Sequence, residues 1–376
     1  MTICYCSAQY LPTVGGVERY TWNLARRTVA AGHRAIVVTS SLPGLPAHET
    51  DADGIEIFRL PAWGLMKGRF PALKPQGALW RQLWQNKMDL CVVQTRMYPQ
   101  SIFAARKAAK QGIKTIVIDH STGYMPVGGG VTGACGRLYE HLACALIKGA
   151  KPAFYGVSSA VVAWLRTFGI TAAGCLPNAV DPAALTALAR AQPKDWRAAY
   201  DLPADTKLIA YVGRLIPEKG AGALAEAVAG LDLPNAALIV AGDGPMLAEL
   251  RQSAAPNVFC AGSVPYPATV QLLAQANVYC LPTLYAEGFP TTLLEAAAVR
   301  CPIVCTATAG TAELLPEPDY GVLLADAGPA AIRAGLLTML QNPARAAHSA
   351  EVTYQNLAAH FTWDAVFAKI IAIAAS

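Results

Sequence analysis

Short apolar runs alternate with helical patterns along almost the whole chain, and this alternation constrains the fold more than any other feature. Most runs are rich in β-branched residues with little polar alternation, as in strands buried on both faces of a parallel sheet. The predicted strands are 3–7, 35–39, 55–60, 90–94, 115–119 and 153–157, then 208–213, 237–241, 278–281, 303–306 and 322–324. The predicted helices are 17–31, 99–111, 138–147, 160–168, 221–229, 246–253 and 291–299. Such strand–helix alternation predicts a doubly wound α/β fold.

The alternation occurs twice, and an irregular segment rich in Ala and Pro at 178–203 separates the two sets. The sign of the charge changes at the same place. Residues 1–180 carry 19 Lys and Arg against 8 Asp and Glu, whereas residues 181–376 carry 11 against 17. We therefore predict two Rossmann-like domains, 1–178 and 179–360, with ligands bound in a cleft at the carboxyl ends of their strands. Residues 361–376 are predicted to form a last helix, whose docking partner the sequence does not identify.

The basic first domain indicates an anionic partner. No nucleic-acid motif accompanies the charge, so we expect no nucleic acid. A charged fraction of only 15% and a mean hydropathy of +0.32 fit an anionic lipid surface better. No stretch approaches the ~20 apolar residues of a membrane-spanning helix, and the first residues do not resemble a signal peptide. The expected location is the cytoplasm, peripheral to the inner face of the cell membrane.

The ten cysteines are expected to be reduced, buried thiols, because nothing marks the chain for export. Their spacings include no Cys-x-x-Cys pair and therefore predict no zinc site. Asp51-Ala-Asp53 matches an Asp-x-Asp metal motif, but it precedes Gly54 in a polar loop and is interpreted as a solvated turn. We predict neither a metal nor a cofactor.

Two glutamates flank the start of the predicted helix 291–299. Glu287 lies in the preceding loop and Glu295 one turn inside the helix, with Gly288-Phe289-Pro290 and Thr291-Thr292 between them. The first turn of a helix presents free backbone N–H groups to an anion. Two carboxylates can accept hydrogen bonds from several hydroxyls at once, as a sugar or a ribose requires. The alternative is one helix-start acid and one surface acid.

Charged and glycine-rich turns follow two other predicted strands. Gly213-Arg214 and Lys219-Gly220 come just after 208–213, and two cations beside a helix start can clamp a diphosphate. The alternative is a pair of solvated charges. Gly242-Asp-Gly244-Pro follows 237–241, where glycines permit a close backbone approach.

Taken in order, Gly15-Gly16-Val-Glu-Arg, the Gly213 to Gly220 segment, Gly242-Asp-Gly244-Pro and the Glu287–Glu295 pair resemble family 4 of the retaining glycosyltransferases. The resemblance runs over essentially the full chain. It implies the GT-B fold, which has two Rossmann-like doubly wound parallel-sheet domains and an interdomain cleft. The second domain would then bind a nucleotide-sugar donor, a UDP- or GDP-sugar, and the first a glycan or polyprenyl-linked acceptor. Asn178-Ala-Val-Asp181 departs from the family's Asn-Gly-Val-Asp at its alanine.

The resemblance also implies residue roles. Arg214 and Lys219 would hold the diphosphate, Glu295 the ribose hydroxyls and Glu287 the hydroxyls of the donor sugar. His120 would face the donor sugar and the acceptor as a positioning residue rather than a general base; its alternative is a hydrogen-bonded strand-end histidine. The implied catalytic residues are His120, Glu287, Arg214 and Lys219. The implied donor-binding residues are Gly15, Gly16, Gly213, Arg214, Lys219, Gly242, Gly244, Glu287, Gly288, Phe289, Pro290, Thr291, Thr292 and Glu295.

Residues 58–87 contain no acid, and they interleave six cations with aromatic rings. The cations are Arg59, Lys67, Arg69, Lys74, Arg81 and Lys87, and the rings include Trp63, Phe70, Trp80 and Trp84. Such a mixture is typical of a peripheral membrane surface, but tryptophans packed into the first domain are the alternative. The uncharged, glycine-rich segment 121–133 is interpreted as either a lid over the acceptor or a connector.

The leading functional hypothesis is a retaining hexosyltransferase that extends a lipid-linked saccharide or polysaccharide precursor at the cytoplasmic membrane face. The alternative is a soluble retaining transferase that acts on a small sugar or sugar phosphate. A dinucleotide-dependent oxidoreductase would need Gly-x-Gly-x-x-Gly after the first strand, and Pro12-Thr-Val-Gly15-Gly16 lacks that pattern. A non-catalytic scaffold would not need the glutamates and cations.

Overall fold

A computed structural model describes residues 1–13, 15–65, 70–74, 77–125, 128, 130–191, 194–253, 255–285, 288–308 and 310–376. The chain divides into two compact units. The first unit contains Met1–Asn178 together with Trp363–Ser376, and the second contains Ala179–Thr362.

An eight-stranded sheet forms the centre of the first unit, in the order β10-β9-β8-β7-β1-β2-β4-β3. Its strands are β1 (Thr2–Cys6), β2 (Arg34–Ser40), β3 (His48–Thr50), β4 (Glu56–Leu60), β7 (Leu90–Gln94), β8 (Lys114–Asp119), β9 (Ala153–Gly156) and β10 (Gly174–Cys175). All pairs are parallel except β3 with β4. β5 (Ala62–Leu65) and β6 (Phe70–Leu73) form a separate antiparallel pair. The strand order reverses at β1, which lies between β2 and β7 and creates a topological switch point.

The helices of the first unit cover this sheet. They are α1 (Gly16–Ala30), α2 (Ala78–Leu83), α3 (Pro99–Lys110), α4 (Gly130–Lys148), α5 (Ser159–Leu165) and α14 (Trp363–Ala375). The last of these packs against α1, where the Tyr20 and Trp363 rings meet edge to face at 5.3 Å and Arg27 Nε donates to Asp364 Oδ1 at 2.6 Å. The final helix of the chain is therefore part of the first unit, which answers the question that the sequence left open.

The second unit is built on a six-stranded parallel sheet in the order β13-β12-β11-β14-β15-β16. Its strands are β11 (Lys207–Val212), β12 (Ala236–Ala241), β13 (Val258–Gly262), β14 (Val278–Leu281), β15 (Ile303–Thr306) and β16 (Val322–Leu324). Its helices are α6 (Pro182–Arg190), α7 (Ala221–Ala229), α8 (Leu247–Ser253), α9 (Tyr266–Gln275), α10 (Thr291–Ala298), α11 (Thr311–Leu314), α12 (Pro329–Leu340) and α13 (Pro343–His360). Here β11 lies between β12 and β14, so this sheet also has a switch point.

All eleven predicted strands and all seven predicted helices are present, so the doubly wound α/β prediction is confirmed. Most predicted bounds agree with the structure to within one residue, but two differences are larger. The connection 178–203 is not irregular throughout, because Asp181 caps α6 by accepting a hydrogen bond from the Ala184 N–H at 3.0 Å, and Pro182 starts the helix. α4 begins at Gly130 instead of 138 and takes up the end of the predicted lid or connector.

The expectation of ten buried thiols was also partly wrong. Seven cysteines are buried, but Cys135 and Cys175 are exposed and Cys260 is half-buried. Cys135 lies on the solvent side of α4. The number of cysteines could not predict this exposure, because it depends on which face of the helix carries the residue. Among the residues that the structure describes, no helix is both long enough and apolar enough to cross a membrane.

Candidate functional site

Three neighbouring strands of the second unit end in the loops that carry the predicted donor residues. β12, β11 and β14 lie side by side, and parallel strands bring their carboxyl ends to one edge of the sheet. Gly213 and Arg214 follow β11, Gly242 follows β12, and Tyr285 lies in the loop after β14. The predicted residues therefore converge at the switch point of this sheet.

The two predicted cations share one aromatic ring. Cζ of Arg214 lies 5.1 Å from the ring centre of Tyr285, and Nζ of Lys219 lies 5.3 Å from it. Both distances are within the range of a cation–π contact. The β14 loop is held in place because the Leu284 N–H donates to the Glu218 carbonyl at 2.7 Å. Tyr285 was not predicted as a site residue.

Lys219 is buried although it is charged, whereas Arg214 is exposed. Burial, with a smaller contribution from the nearby Arg214 guanidinium, lowers the pKa of Lys219 to about 8. A negatively charged ligand would offset both effects, because it neutralises the repulsion and stabilises the ammonium form. The arrangement of the two cations therefore suits an anionic ligand.

The glycines of the β12 loop permit the close approach of two backbones. Gly242 has φ +154° and Gly244 has φ +155°, in the region that favours glycine. A Cβ atom at Gly242 would overlap the carbonyl oxygen of Gly213, and one at Gly244 would overlap that of Leu215. The β12 loop can lie against the β11 loop only because both positions lack a side chain.

Glu295 is buried inside α10, and its carboxylate accepts a hydrogen bond from the Tyr266 hydroxyl at 3.1 Å. Tyr266 begins α9 and was not predicted as a site residue. A tyrosine some thirty positions away gives no local signal, so only the packing of α9 on α10 reveals this pair.

The start of α10 is built from the other predicted residues of this loop. Pro290 is the N-cap, and Gly288 and Phe289 are buried just before it. Thr291 is exposed, whereas the Thr292 hydroxyl is hydrogen bonded to the Tyr279 hydroxyl at 2.8 Å. Glu287 lies outside the described residues.

In the first unit, His120 follows β8 and is half-buried. Its Nε2 donates to Oε1 of Gln94 at 2.7 Å, and the Tyr20 ring meets it edge to face at 4.9 Å. Burial lowers the pKa of His120 to about 4, although Asp119 opposes the shift. His120 is therefore neutral near pH 7, and its Nδ1 is left as an acceptor.

A buried charge cluster beside His120 was missed. Nη1 of Arg96 lies 2.8 Å from both carboxylate oxygens of Asp119, and Nη2 lies 2.8 Å from Oε2 of Glu140. All three side chains are fully buried. Burial raises the pKa of Glu140, while the Arg96 charge and a backbone N–H oppose the shift. Asp119 ends one predicted strand, and Arg96 follows another by two residues. Charged residues at the ends of two predicted strands are a signal that could have revealed the cluster.

This cluster also organises the segment after His120. The Ser121 N–H donates to Oδ1 of Asp119 at 3.2 Å, and the Met125 N–H donates to Oε1 of Glu140 at 2.6 Å. Before the cluster, Thr95 has φ +65°, which is a strained conformation for a β-branched residue. The strained turn separates Gln94, which contacts His120, from Arg96, which contacts Asp119. The start of the predicted lid is therefore anchored by buried carboxylates.

The predicted Gly15-Gly16 turn forms the start of α1. Gly15 is the N-cap, and the carboxylate of Glu18 lies against it, so a Cβ atom at Gly15 would overlap that carboxylate. Glu18 is buried, and burial raises its pKa. The carboxylate beside the helix start is stabilised by the helix dipole.

Asp51 and Asp53 form the turn that the sequence predicts. Oδ1 of Asp51 accepts the N–H groups of Asp53 at 3.0 Å and Ile55 at 2.9 Å. Oδ2 of Asp53 accepts the Trp22 indole N–H at 2.9 Å, and its Oδ1 lies 3.4 Å from Nε of Arg26. Both carboxylates therefore bind groups of their own turn or of the neighbouring helix α1. The interpretation as a turn is confirmed.

The basic segment 58–87 is divided by the fold. Arg59 is buried against Glu49, and Trp84 is buried with Trp80 packed edge to face on it. Trp63 is exposed, with Nζ of Lys74 5.9 Å from its ring centre. Exposed cations of the segment are Lys74, Arg81 and Lys87, whereas Lys67 and Arg69 lie outside the described residues. Trp84 is thus packed into the first unit, as the alternative predicts, whereas Trp63 is exposed. Contact of Trp63 with a membrane stays a prediction.

Comparison with protein families assigns both halves of the chain. Residues 14–184 match the family described as Glycosyltransferase Family 4, and residues 192–356 match the family described as Glycosyl transferases group 1. Together the two matches span most of the chain and exclude the oxidoreductase hypothesis.

Curated relatives are described as glycosyltransferases. A protein of Bacillus subtilis described as the teichuronic acid biosynthesis glycosyltransferase TuaC is 38% identical over 120 residues, which are 32% of this chain and 29% of that protein. The chain thus matches less than a third of that relative's length. A phosphatidylinositol N-acetylglucosaminyltransferase chain of Arabidopsis thaliana is 26% identical over 333 residues, 85% of this chain and 70% of that protein.

A solved structure shows the fold. The structure of HepE from Anabaena in complex with UDP aligns with a TM-score of 0.74 at 16% identity, over 99% of each chain. This similarity confirms the two Rossmann-like parallel-sheet units of the GT-B fold. With both family matches in order along one GT-B chain, the protein belongs to glycosyltransferase family 4.

Proposed function

We propose that this glycosyltransferase is a retaining hexosyltransferase. It takes its sugar from a UDP- or GDP-sugar and extends a lipid-linked saccharide or polysaccharide precursor at the cytoplasmic membrane face. The observation that carries the donor assignment is the cluster of Arg214, Lys219 and Tyr285 at the switch point of the second unit. A buried lysine with a lowered pKa beside a second cation favours a ligand with two phosphates.

The remaining parts of a nucleotide sugar have candidate partners in the same unit. Glu295, oriented by Tyr266, would accept hydrogen bonds from the ribose hydroxyls. The exposed Thr291 begins α10, where backbone N–H groups favour phosphate oxygens. Glu287 would hold the hydroxyls of the donor sugar. That HepE binds UDP supports the same choice of donor class.

The proposed reaction proceeds on one face of the donor sugar. The acceptor hydroxyl oxygen bonds to the anomeric carbon while the bond from that carbon to the diphosphate oxygen breaks. The departing diphosphate oxygen takes the acceptor proton, so no protein base is consumed. Arg214 and Lys219 offset the charge that develops on the diphosphate. His120, neutral and fixed by Gln94, orients the sugar through hydrogen bonding rather than proton transfer.

Two observations favour a lipid-linked or polymeric acceptor over a small soluble sugar. TuaC is described as a glycosyltransferase of teichuronic acid biosynthesis. The Arabidopsis relative is described as a phosphatidylinositol N-acetylglucosaminyltransferase. Residues 1–180 are also strongly basic, with 19 Lys and Arg against 8 Asp and Glu. Anionic lipid surfaces attract such charge at about 1 kcal/mol per Lys or Arg.

A panel of nucleotide sugars in a thermal-shift assay tests the donor. A ligand at a hundred times its dissociation constant stabilises the folded protein by about 2.7 kcal/mol. We expect a UDP- or GDP-sugar to raise Tm in the wild type and to lose this effect in Lys219→Ala. Arg190→Ala, which removes an exposed cation of α6, is the matched control and should respond as the wild type does. The proposal fails if no nucleotide sugar shifts Tm.

The stereochemistry and the acceptor need a second experiment. NMR of the freshly formed product should show the anomeric configuration of the donor, and inversion would contradict the retaining mechanism. Transfer to a polyprenyl-diphosphate saccharide should exceed transfer to the same saccharide without lipid. Equal rates would favour the soluble transferase that acts on a small acceptor.

A further inference from the structure

Helix α4 of the first unit carries a row of large apolar side chains on its solvent side. Val131, Leu138, Leu142 and Leu146 are 80%, 72%, 58% and 39% exposed. They are spaced by seven and then four positions, so they share one face of the helix. The opposite face is covered, with Glu140, Ala143 and Ile147 buried. A surface helix of a globular protein normally presents mostly polar residues to water, whereas α4 exposes this row of four large apolar side chains beside Arg137 and His141.

The antiparallel pair β5–β6 extends this apolar surface. The Phe70 ring packs edge to face on Tyr139 of α4 at 5.6 Å. Leu65 pairs directly with Phe70, so their side chains lie on the same side of the hairpin, and Trp63 lies on that side too. Leu65 is 50% exposed and Trp63 is 53% exposed.

Helix α3 packs against both α4 and β6, and its Phe103 is exposed as well. We call the set Trp63, Leu65, Phe103, Val131, Leu138, Leu142 and Leu146 the apolar face. It holds seven of the eleven large hydrophobic side chains that are exposed among the described residues. Single exposed hydrophobics need no explanation, but a concentration of them marks an interaction surface.

The charges around the apolar face have one sign. Exposed cations on the same elements include Arg106 and Lys110 on α3, Arg137 on α4 and Lys74 after β6. Residues 90–180 contain only two acids, Asp119 and Glu140, and both side chains are fully buried against Arg96. Residues 58–88 contain none. A second copy of the chain would bring two positive faces together, whereas an anionic bilayer complements both the charge and the apolar side chains.

We propose that the apolar face binds an anionic lipid bilayer, with α4 lying in the plane of the interface and Trp63 at headgroup depth. The inference deepens the proposed function, on which it rests for the membrane location of the acceptor. It also relocates the contact expected from the sequence. The segment 58–87 contributes Trp63, Leu65 and Lys74, but α4 supplies most of the apolar surface.

Sedimentation with vesicles of phosphatidylcholine containing about 30 mol% phosphatidylglycerol tests the surface. The variant Leu138→Gln with Leu142→Gln removes two exposed side chains without opening a cavity, so its Tm should equal that of the wild type. We expect its partition coefficient to fall at least about tenfold, because each buried leucine contributes to partition in proportion to its apolar area. Leu42→Gln and Leu323→Gln change exposed leucines outside the apolar face and should bind as the wild type does.

The two exposed cysteines provide an independent measurement. A nitroxide on Cys135, which lies on the solvent side of α4, should become accessible to oxygen and shielded from a water-soluble nickel complex when vesicles are added. A nitroxide on Cys175, outside the apolar face, should show no change. High salt should weaken the binding but leave a remainder from the apolar contacts.

Three results would overturn the proposal: no binding of the wild type to anionic vesicles, equal binding of the double glutamine variant, or unchanged accessibility at Cys135. A concentration-dependent dimer that the double variant abolishes would overturn it as well, because a second copy would then cover the apolar face. Binding of UDP- and GDP-sugars is measured on the same samples. If the protein binds the donor but not the vesicles, only the proposal of the docking surface fails. If the protein binds the vesicles but no donor, only the proposed transfer reaction fails.

Discussion

Nη1 of Arg96 lies 2.8 Å from both carboxylate oxygens of Asp119, and neither side chain is exposed to solvent. The contact joins the ends of β7 and β8, one residue from His120. Glu140 completes the cluster from α4 and also accepts the Met125 N–H. One buried guanidinium thus connects two strand ends, the segment after His120, and the helix that carries the apolar face.

Removal of this guanidinium should destabilise the first unit. Arg96→Leu leaves two buried carboxylates without their partner, and breaking a buried ion pair typically costs about 3–5 kcal/mol. We expect a loss of this size in the free energy of unfolding, measured by urea denaturation followed by circular dichroism. Arg106→Leu, an exposed arginine on α3, is the matched control and should change it by less than about 0.5 kcal/mol. Equal effects in the two variants would show that the cluster does not stabilise the fold.

Lys219→Ala and Glu295→Ala should each weaken donor binding and nearly abolish transfer. Each removes one partner of a charge-assisted hydrogen bond, which costs about 1.5–3 kcal/mol. Tyr266→Phe should have a smaller effect in the same direction, because it leaves the carboxylate but removes the hydroxyl that orients it. Calorimetric titration with the donor found in the thermal-shift panel measures all three. Glu249→Ala, an exposed acid of α8, is the control, and unchanged affinity in both alanine variants would refute the assigned roles.

Donor affinity should depend on pH through Lys219. Its pKa is lowered to about 8 in the unliganded protein, so the side chain loses its proton above that pH. A bound diphosphate favours the charged form and raises the pKa, so affinity should be constant below pH 7 and about tenfold weaker at pH 9. In Lys219→Arg the guanidinium stays charged, and this dependence should disappear. That variant also controls for titration of the donor itself; an identical pH profile in both proteins would exclude Lys219 as the titrating group.

Turnover should continue in excess chelator. In the proposed mechanism, Arg214 and Lys219 offset the charge of the departing diphosphate. The Asp51 and Asp53 carboxylates are hydrogen bonded within their own turn and to Trp22. Transfer rates with and without EDTA are compared directly. Activity that is lost on chelation and restored by magnesium or manganese would show that a metal shares in stabilising the leaving group.

The sequence predicted the strands most accurately where a β-branched run stands between polar or glycine-rich turns. β7, β14 and β15 have the predicted bounds, because burial on both faces selects such residues. The edge strand β16 also has its predicted bounds, although Leu323 is exposed. The strand β13 was missed because Val-Phe-Cys-Ala-Gly is short and has no distinctive pattern. The helix α13 was missed for a different reason: its sequence mixes alanines with polar residues and shows only a narrow buried stripe.

The order of the strands along the chain and the loops at their ends were determined by the sequence itself. Hydrophobic periodicity and glycine positions are local properties, so Arg214, Lys219, Gly242 and Glu295 could be assigned to strand ends and a helix start before any contact was known. Only the tertiary structure decided which distant groups meet. Arg96 is hydrogen bonded to Glu140, 44 positions away in the sequence, and Tyr266 to Glu295, 29 positions away. The sequence of α4 places apolar residues on more than one side of the helix. The neighbouring elements bury some of these residues, and only the tertiary structure shows which of them stay exposed to solvent.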